Sequence, residues 1–306
     1  CTSSFGARRA TGGTEDNEMA TETDTTTFDA GKLANRLPDD ALLHGGIVFA
    51  ILLMASPLLL AIIMSTQSTT EVYQVTNLGL GSKGLSNYSD ALVNYDFSTY
   101  MLNSFVMSVI VVVGKVTLSL FAALALVYYR FPYERAVFMF ILLTLLLPVP
   151  VRIVPLFQLM ADLGWTNSLL ALTGPYIASA TAVFLFRQQF MGIPASLVEV
   201  ARLDGVGPLT FLFRVLIPMS RGMVAGVCVI TFIYTWNQFL WPLVVVTDKS
   251  SQVVQVGIRY LQGSAQAGLT QWGLIMAGAV LALLPPLVVL VVLHRPLLRT
   301  LTIQQK

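Results

Sequence analysis

Six long apolar segments alternate with polar connections between residues 45 and 293. The segments cover approximately residues 45–64, 103–129, 136–157, 168–190, 222–247 and 273–293. Each is close to or longer than the roughly 20 residues that an α-helix needs to cross a bilayer. The pattern therefore predicts an all-α fold, a polytopic transmembrane helical bundle of six spanning helices. Because six is an even number, both chain ends are expected on the same side of the membrane.

The first 40 residues have a different composition from the rest of the chain. Residues 1–40 hold eight of the 16 acidic residues and show no apolar period. Such a segment buries too little apolar surface to fold, so we expect a disordered acidic tail before a membrane domain over residues 41–306. Over the whole chain, 11% of the 306 residues are charged, compared with about 25% in soluble domains. The net charge of +2 gives no indication of a nucleic-acid partner.

The basic residues are unevenly distributed between the connections. Thirteen of the 18 Lys and Arg residues fall in the tail, in the 130–135 loop, in the 187–221 connection or at the C-terminus. Cytoplasmic loops of membrane proteins carry such an excess. We therefore expect a multi-pass plasma-membrane protein whose N- and C-termini are cytoplasmic.

The predicted cytoplasmic connection over residues 191–221 contains a charged segment broken by glycines. Ser196 followed by Glu199 has the spacing of a capping box, which predicts a helix from Leu197 to Leu203. Gly205 and Gly207 then end this helix, and Pro208 can open a second helix that runs to residue 218. Two interpretations remain open: a surface helix pair in which Glu199 only caps, or a docking element for a soluble partner.

Two cations lie within the predicted spans. Lys115 is about 18 to 21 Å from either end of its span, close to the membrane midplane. Arg152 follows Pro148 and Pro150 and precedes Pro155, which should interrupt the third span. Broken helices are tolerated in a membrane where they line a cavity, so we expect both cations to line the pathway of an anionic substrate such as a phosphate ester. The alternative is that Lys115 snorkels or pairs with an acid of a partner subunit.

The fifth apolar segment mixes aromatic and amide side chains. Tyr234, Trp236, Asn237 and Gln238 are expected on one helix, where rings and amides suit a ligand with hydroxyl groups. An interfacial aromatic belt is the alternative, and it suits Trp241 best.

The sequence predicts no catalytic and no metal site. It lacks G-x-x-x-x-G-K-[ST], G-x-S-x-G and H-E-x-x-H, and its two histidines lie at opposite ends of the span region. We therefore expect a non-enzymatic protein without a cofactor of its own, and any ATP-driven step would require another polypeptide.

The segment EVARLDGVGPLTFLFRVLIP, residues 199–218, resembles the EAA loop of the membrane subunits of ABC importers, in the type I, carbohydrate-uptake family. Val200 departs from the pattern, and the matching positions are Glu199, Ala201, Asp204, Gly205, Phe211 and Pro218. The resemblance implies the type I importer permease fold. It also implies that this segment is a coupling helix docked in an ATPase subunit, with Glu199 facing a basic group and Gly205 permitting the turn.

The stretches LLPVPVRIVP, SATAVFLFRQQFM and VITFIYTWNQFLWPL, with the lysine of GKVTLSL, are similar to the E-type permease subunits of sn-glycerol-3-phosphate importers. The resemblance implies several partners. They are a second homologous permease subunit, two ATPase subunits that bind ATP-Mg, a periplasmic or lipid-anchored solute-binding protein, and membrane lipid. A neutral sugar or polyol importer is the close alternative. A secondary transporter without an ATPase is the remote one, because the predicted spans show no intramembrane acid and no convincing repeat.

Overall fold

A computed structural model of the chain describes residues 37–74, 79–263, 265–266 and 268–303. Residues up to 55 and residues from 56 onward form two compact units, and the second unit holds the cavity and the 191–221 segment that are described below. The described α-helices are α1 Leu37–Ser65, α2 Thr69–Val72, α3 Ser86–Ser89, α4 Phe97–Tyr128, α5 Glu134–Leu143, α6 Val149–Asp162, α7 Leu169–Thr173, α8 Ala180–Met191, α9 Ala195–Leu203, α10 Pro208–Phe211, α11 Ile217–Met219, α12 Arg221–Trp236, α13 Leu240–Val245, α14 Val254–Gln262 and α15 Trp272–Ile303.

The remaining regular structure is short. Segments of 3₁₀-helix cover Thr144–Leu146, Gly174–Tyr176 and Lys249–Ser251, and π-helical turns cover Asp90–Asn94 and Leu212–Leu216. Strand β1, Ala265–Gln266, pairs antiparallel with β2, Leu269–Thr270. The predicted all-α fold is confirmed, with this two-residue hairpin as its β-structure among the described residues.

Three helices are long and apolar enough to cross a membrane as single rods. They are Leu43–Ser65 within α1, the whole of α4, and Trp272–His294 within α15. Three further candidates are pairs of helices bent by more than 40° at a short break, which makes up to six spans by length and composition. The upper number equals the six predicted spans, but the third bent pair joins Pro208–Met219 to Arg221–Trp236 and so includes part of the predicted cytoplasmic connection over residues 191–221.

The prolines of the third span act as predicted at one position only. The helical path over residues 134–146 stops before Pro148, whose backbone is extended, and α6 starts directly after it. Pro155, by contrast, lies inside α6 and does not interrupt it. Because proline has no N–H, α6 lacks one helical hydrogen bond at Pro155, but the chain is helical on both sides of this residue.

Three predicted segments have other bounds in the structure. The fourth is not one helix over residues 168–190, because α7 ends at Thr173, a 3₁₀ turn follows to Tyr176, and α8 starts at Ala180. The fifth segment is not one helix over residues 222–247, because α12 ends at Trp236 and α13 starts at Leu240. In a continuous helix the ring of Pro242 would clash with the carbonyl of Gln238. In the first turn of α13 the missing N–H of proline is no loss, because the N–H groups of a first helical turn have no partner within the helix. The helix α1 begins at Leu37, so residues 37–40 are not part of a disordered tail. Residues 1–36 lie outside the described part of the chain.

Two buried tryptophans compensate for donors that prolines lack. The indole Nε1 of Trp236 donates a hydrogen bond to the carbonyl of Ala282 at 2.9 Å. The residue whose amide would normally serve that carbonyl in α15 is Pro286, which has no N–H. Because an unsatisfied backbone carbonyl is costly in a membrane, the indole stabilises α15 and joins it to α12.

The second tryptophan repeats this arrangement between α13 and α7. Trp241 Nε1 donates to the carbonyl of Ala171 at 3.0 Å, and the residue four positions after Ala171 is Pro175. Both indoles are 1% exposed. The helices α15 and α7 are thus each held to a neighbouring helix by a specific hydrogen bond as well as by packing.

Candidate functional site

A cavity of about 1120 Å³ lies among α4, α5, α6, α8 and α12. Its wall is largely apolar, and the polar groups in it are Lys115, Ser119, Thr144, Arg152, Tyr176, Ser179, Thr181, Thr231 and Tyr234. A volume above about 300 Å³ with a few converging polar groups is typical of a small-molecule site. No group of three metal-ligating side chains occurs within the described residues. The cavity is therefore suited to a small polar ligand.

Lys115 is the charged residue buried in this wall. Its side chain is 8% exposed, and its Nζ lies 5.5 Å from the centre of the Tyr234 ring. Within the part of the chain that the structure covers, the ammonium makes no hydrogen bond and no ion pair. A cation–π contact of this kind contributes about 0.5–2 kcal/mol, which is less than the several kcal/mol that burial of a charge costs. The ammonium is thus only partly compensated by the residues that the structure describes.

Arg152 lines the same cavity from α6. It lies in the first turn after the proline break, and its side chain is exposed. The structure therefore brings together the two cations that the sequence singled out, on different helices around one cavity.

The four residues predicted on span five are separated by the structure. Tyr234 lines the cavity, but Trp236 does not. Trp236 is buried, its ring stacks on the Phe232 ring with the centres 5.8 Å apart, and its indole donates to the carbonyl of Ala282 within α15. Asn237 follows the end of α12, and its Oδ1 accepts a hydrogen bond from Gln255 Nε2 at 3.0 Å.

Gln238 also lies outside α12, and its side chain lies close to that of Tyr176 in the cavity wall. Trp241 is buried against Tyr176, so the belt interpretation does not describe it. Of the residues that the sequence analysis placed on one helix, Tyr234 is the one that reaches the cavity wall.

Sequence reasoning missed four hydroxyl residues of the wall: Ser119, Thr144, Tyr176 and Thr231. Serine and threonine are common in membrane helices, so their presence alone carries little information. A usable signal was present in the spacing, because Ser119 follows Lys115 by four residues and must share its helix face.

The predicted coupling segment has the expected two-helix form. The helix α9 ends in a turn at Gly205, whose φ of +68° is a conformation that favours glycine. Pro208 is the first residue of α10, and the helical path continues through a π-turn to Met219. The prediction of two short helices joined by a glycine turn is confirmed.

The predicted capping box is wrong. The residue before α9 is Pro194, no side chain caps the helix, and Ser196 is already its second residue. A capping side chain belongs to a residue with extended backbone, and Ser196 has helical backbone because α9 starts earlier than predicted. Glu199 is therefore not engaged at the helix start, and its side chain is exposed.

The helix α9 has one packed and one open face. Val198 and Ala201 pack against an apolar cluster built from α4, α8 and α12. Glu199, Val200 and Leu203 point away from it, and Val200 and Leu203 are 54% and 87% exposed. Asp204, Gly205 and Pro218 are also exposed. An exposed apolar and acidic face on a well-anchored helix is typical of a protein-binding surface.

Tyr128, the last residue of α4, connects this segment to the helix bundle. Its hydroxyl donates to the carbonyl of Phe190 at 3.1 Å, and its ring meets the Phe211 ring edge-on at 5.5 Å. Its own carbonyl accepts a hydrogen bond from Arg202 Nη2 at 3.4 Å. The carbonyl of Phe190 also accepts the backbone N–H of Ile193 at 3.2 Å, so the Tyr128 hydroxyl is its second donor. Tyr128 thus joins α4, α8, α9 and α10.

Comparisons with known proteins agree with this architecture. A model of the family described as "Binding-protein-dependent transport system inner membrane component" matches residues 115–302. The chain is 40% identical over 281 residues to the sn-glycerol-3-phosphate transport system permease protein UgpE of Pectobacterium atrosepticum, which covers 90% of this chain and 100% of that protein. The protein of the same name from Yersinia enterocolitica is 39% identical with the same coverage.

Two solved structures share the fold. A bacterial ABC transporter involved in the import of the acidic polysaccharide alginate superimposes with a TM-score of 0.73 at 23% identity, over 89% of this chain and 99% of that chain. A bacterial alginate ABC transporter in complex with an alginate pentasaccharide-bound periplasmic protein gives a TM-score of 0.59 at 14% identity, over 87% and 95% of the two chains. At these identities the likeness concerns the fold alone.

Proposed function

The chain belongs to the family of binding-protein-dependent transport system inner membrane components, and from this premise we propose that it forms half of the transport pathway of an ATP-driven importer for sn-glycerol-3-phosphate or a related phosphate ester. It is a multi-pass membrane protein and a homologue of transport permease subunits. The substrate, the partners and the direction of the chain in the membrane are parts of the proposal.

The observation that carries the substrate assignment is the buried ammonium of Lys115. An ionisable group at membrane depth is costly and marks a substrate or ion pathway unless it is paired. The described residues supply an aromatic ring and no counter-charge, while a second cation, Arg152, lines the same cavity. A phosphate ester carries between one and two negative charges at neutral pH and would compensate these cations with charge-assisted hydrogen bonds.

The exposed face of α9 is proposed as the docking surface of an ATPase subunit. Glu199 would meet a basic group there, while Ala201, Asp204, Gly205 and Pro218 shape the segment. ATP-Mg would be bound by two such ATPase subunits, because the sequence has no phosphate-binding loop. A second permease subunit would complete the pathway, and a solute-binding protein would deliver the substrate. Both termini would then lie in the cytoplasm.

An importer of a neutral sugar or polyol is the second candidate. It is favoured by the rings of Tyr176 and Tyr234 in the cavity wall, since aromatic rings pack well on the C–H faces of sugars. In this case Lys115 would pair with an acid of the partner permease subunit, and uptake would not depend on a phosphate group.

The test is ATP hydrolysis by the assembled complex in liposomes with its solute-binding protein, stimulated by sn-glycerol-3-phosphate, maltose or glycerol. Lys115→Ala is compared with wild type and with Lys83→Ala, which removes an exposed cation outside the cavity. We expect stimulation by the phosphate ester alone and a loss of about tenfold or more in Lys115→Ala only, as for removal of a hydrogen bond to a charged group. Stimulation by a neutral sugar that is indifferent to Lys115→Ala would overturn the substrate assignment.

A further inference from the structure

Lys115 is part of a cluster of polar side chains on the facing surfaces of α4 and α12. Lys115 and Ser119 are one turn apart on α4, and Thr231 and Tyr234 are one turn apart on α12. The two helices pack directly on each other, and all four side chains line the same cavity. This set is called the α4–α12 cluster below.

The hydroxyl of Ser119 has no hydrogen-bond partner in the described structure. The side chain is 1% exposed and its Oγ is buried. Serine in a helix commonly donates to the carbonyl one turn earlier, and this bond is not formed here. Buried polar groups are almost always satisfied, so an unsatisfied one beside a cavity indicates a missing partner.

Thr231 and Lys115 are in the same situation. The Thr231 side chain is 5% exposed, and its hydroxyl forms no hydrogen bond with any residue that the structure describes. The Lys115 ammonium has the Tyr234 ring as its contact. Lys115, Ser119 and Thr231 are each more than nine-tenths buried as residues, and they place one ammonium and two hydroxyls beside the cavity without a hydrogen-bond partner among the described residues.

We propose that the α4–α12 cluster binds the phosphoryl group of the transported ester, with Lys115, Ser119 and Thr231 donating to its oxygens and the Tyr234 ring holding the ammonium in place. This inference rests on the proposed function. A phosphoryl group offers three strong acceptor oxygens and no obligatory donor, and the cluster offers an ammonium with three N–H groups and two hydroxyls that can each donate. A neutral polyol would match the hydroxyls but leave the ammonium uncompensated.

The same helices carry matched control residues. Ser108 on α4 and Thr235 on α12 are also buried and also have hydroxyls without a partner among the described residues. Neither lines the cavity. Loss of their hydroxyls changes the helix packing in the same way but removes nothing from the proposed site.

The experiment measures two rates for the full complex in proteoliposomes with saturating, sn-glycerol-3-phosphate-loaded binding protein: uptake of labelled ester and hydrolysis of ATP. Ser119→Ala and Thr231→Val are compared with Ser108→Ala and Thr235→Val. We expect uptake per ATP to fall about tenfold or more in the first two variants, as for loss of a hydrogen bond to a charged group, and to stay within about twofold in the controls. The thermal stability of all four variants should match or exceed that of wild type.

The outcomes separate the two hypotheses. If the wild-type complex takes up the ester and Ser119→Ala and Thr231→Val behave like their controls, the phosphoryl site is wrong while the proposed function stands. If all four variants lose uptake equally, the effect is one of packing and the site is likewise wrong. If the wild-type complex hydrolyses ATP but does not take up the ester, the proposed function fails and the phosphoryl site fails with it.

Discussion

Trp236→Phe is expected to destabilise the protein mainly by leaving the carbonyl of Ala282 without a donor. The indole donates to this carbonyl at 2.9 Å, and the helical donor is absent because residue 286 is proline. An unsatisfied buried group costs about 1–3 kcal/mol, but measured interhelical hydrogen bonds in membranes average about 0.6 and reach about 1.7 kcal/mol. Because this carbonyl has no alternative helical donor, we expect about 1.5 kcal/mol, with about 1 kcal/mol more for the lost packing of a side chain that is 1% exposed.

Pro286→Ala separates the two contributions. Alanine restores a backbone N–H four residues after Ala282, and the helical backbone of α15 accepts it without a change in conformation. In the Pro286→Ala background, Trp236→Phe should therefore cost only the packing contribution of about 1 kcal/mol. The double-mutant cycle then gives an interaction energy of about 1.5 kcal/mol between two side chains that need not touch.

The assay is reversible unfolding of the permease in mixed micelles with increasing SDS, followed by circular dichroism, for the four proteins of the cycle. Equal costs of Trp236→Phe in both backgrounds would refute the compensation of Pro286 by the indole, since packing alone would then explain the loss. The pair Trp241 and Pro175 offers an independent repeat of the measurement on α7.

Two further predictions concern the surface and pH. Leu203→Ser on α9 should weaken association with the ATPase subunits by about tenfold in a pull-down titration, because it removes an apolar side chain that is 87% exposed. Leu80→Ser is the control and should have no effect, because Leu80 is 79% exposed but lies outside the coupling segment. Equal losses in the two variants would contradict docking of the ATPase on α9. The pKa of Glu71 is lowered from 4.5 to about 2, chiefly because the backbone N–H of Ser68 and the groups of Ser82 donate to its carboxylate. The stabilisation that its contacts with Ser68 and Ser82 provide should therefore be full above about pH 4.5 and disappear as the pH falls towards 2. After correction for the intrinsic rate, hydrogen exchange at the Ser82 amide should become faster in wild type as the pH falls over this range. In Glu71→Gln the corrected rate should not depend on pH. The same pH dependence in both proteins would contradict the assignment of the effect to Glu71.

The number of spans and the break in the third span could be predicted from the sequence because they depend on local properties. An apolar run of about 20 residues and a proline both act on their own stretch of chain. The same reasoning failed at residues 237–242, where the polar pair Asn237 and Gln238 was assigned to one helix, although α12 ends just before it and Pro242 does not fit a continuous helix. It failed again at Ser196, where the residue types of a capping box were present but the helix began before them.

The cavity was predicted in part for a similar reason. The cost of Lys115 and Arg152 in a membrane is visible in the sequence, so both could be assigned to a pathway before their helices were placed. Whether the hydroxyls of Ser119 and Thr231 are satisfied depends on which groups surround them in the folded chain. Likewise, the burial of Trp236 follows from its pairing with α15, where its hydrogen-bond partner Ala282 lies 46 residues further along the chain.

The uninterrupted path of α4 has a mechanical consequence. This helix runs 32 residues without an internal proline, and near its start Asn103 donates to the carbonyls of Ser250 and Gln252 while Ser104 accepts from the amide of Val254. Its other end is Tyr128, in contact with the coupling segment. If α4 tilts as a rigid rod about the fixed end at Phe97, Lys115 and Tyr128 lie about 27 Å and 46 Å from the pivot. A displacement of Tyr128 would then move the ammonium by about 0.6 of that distance, so α4 would pass movement of the coupling segment to the cavity, reduced by a constant factor.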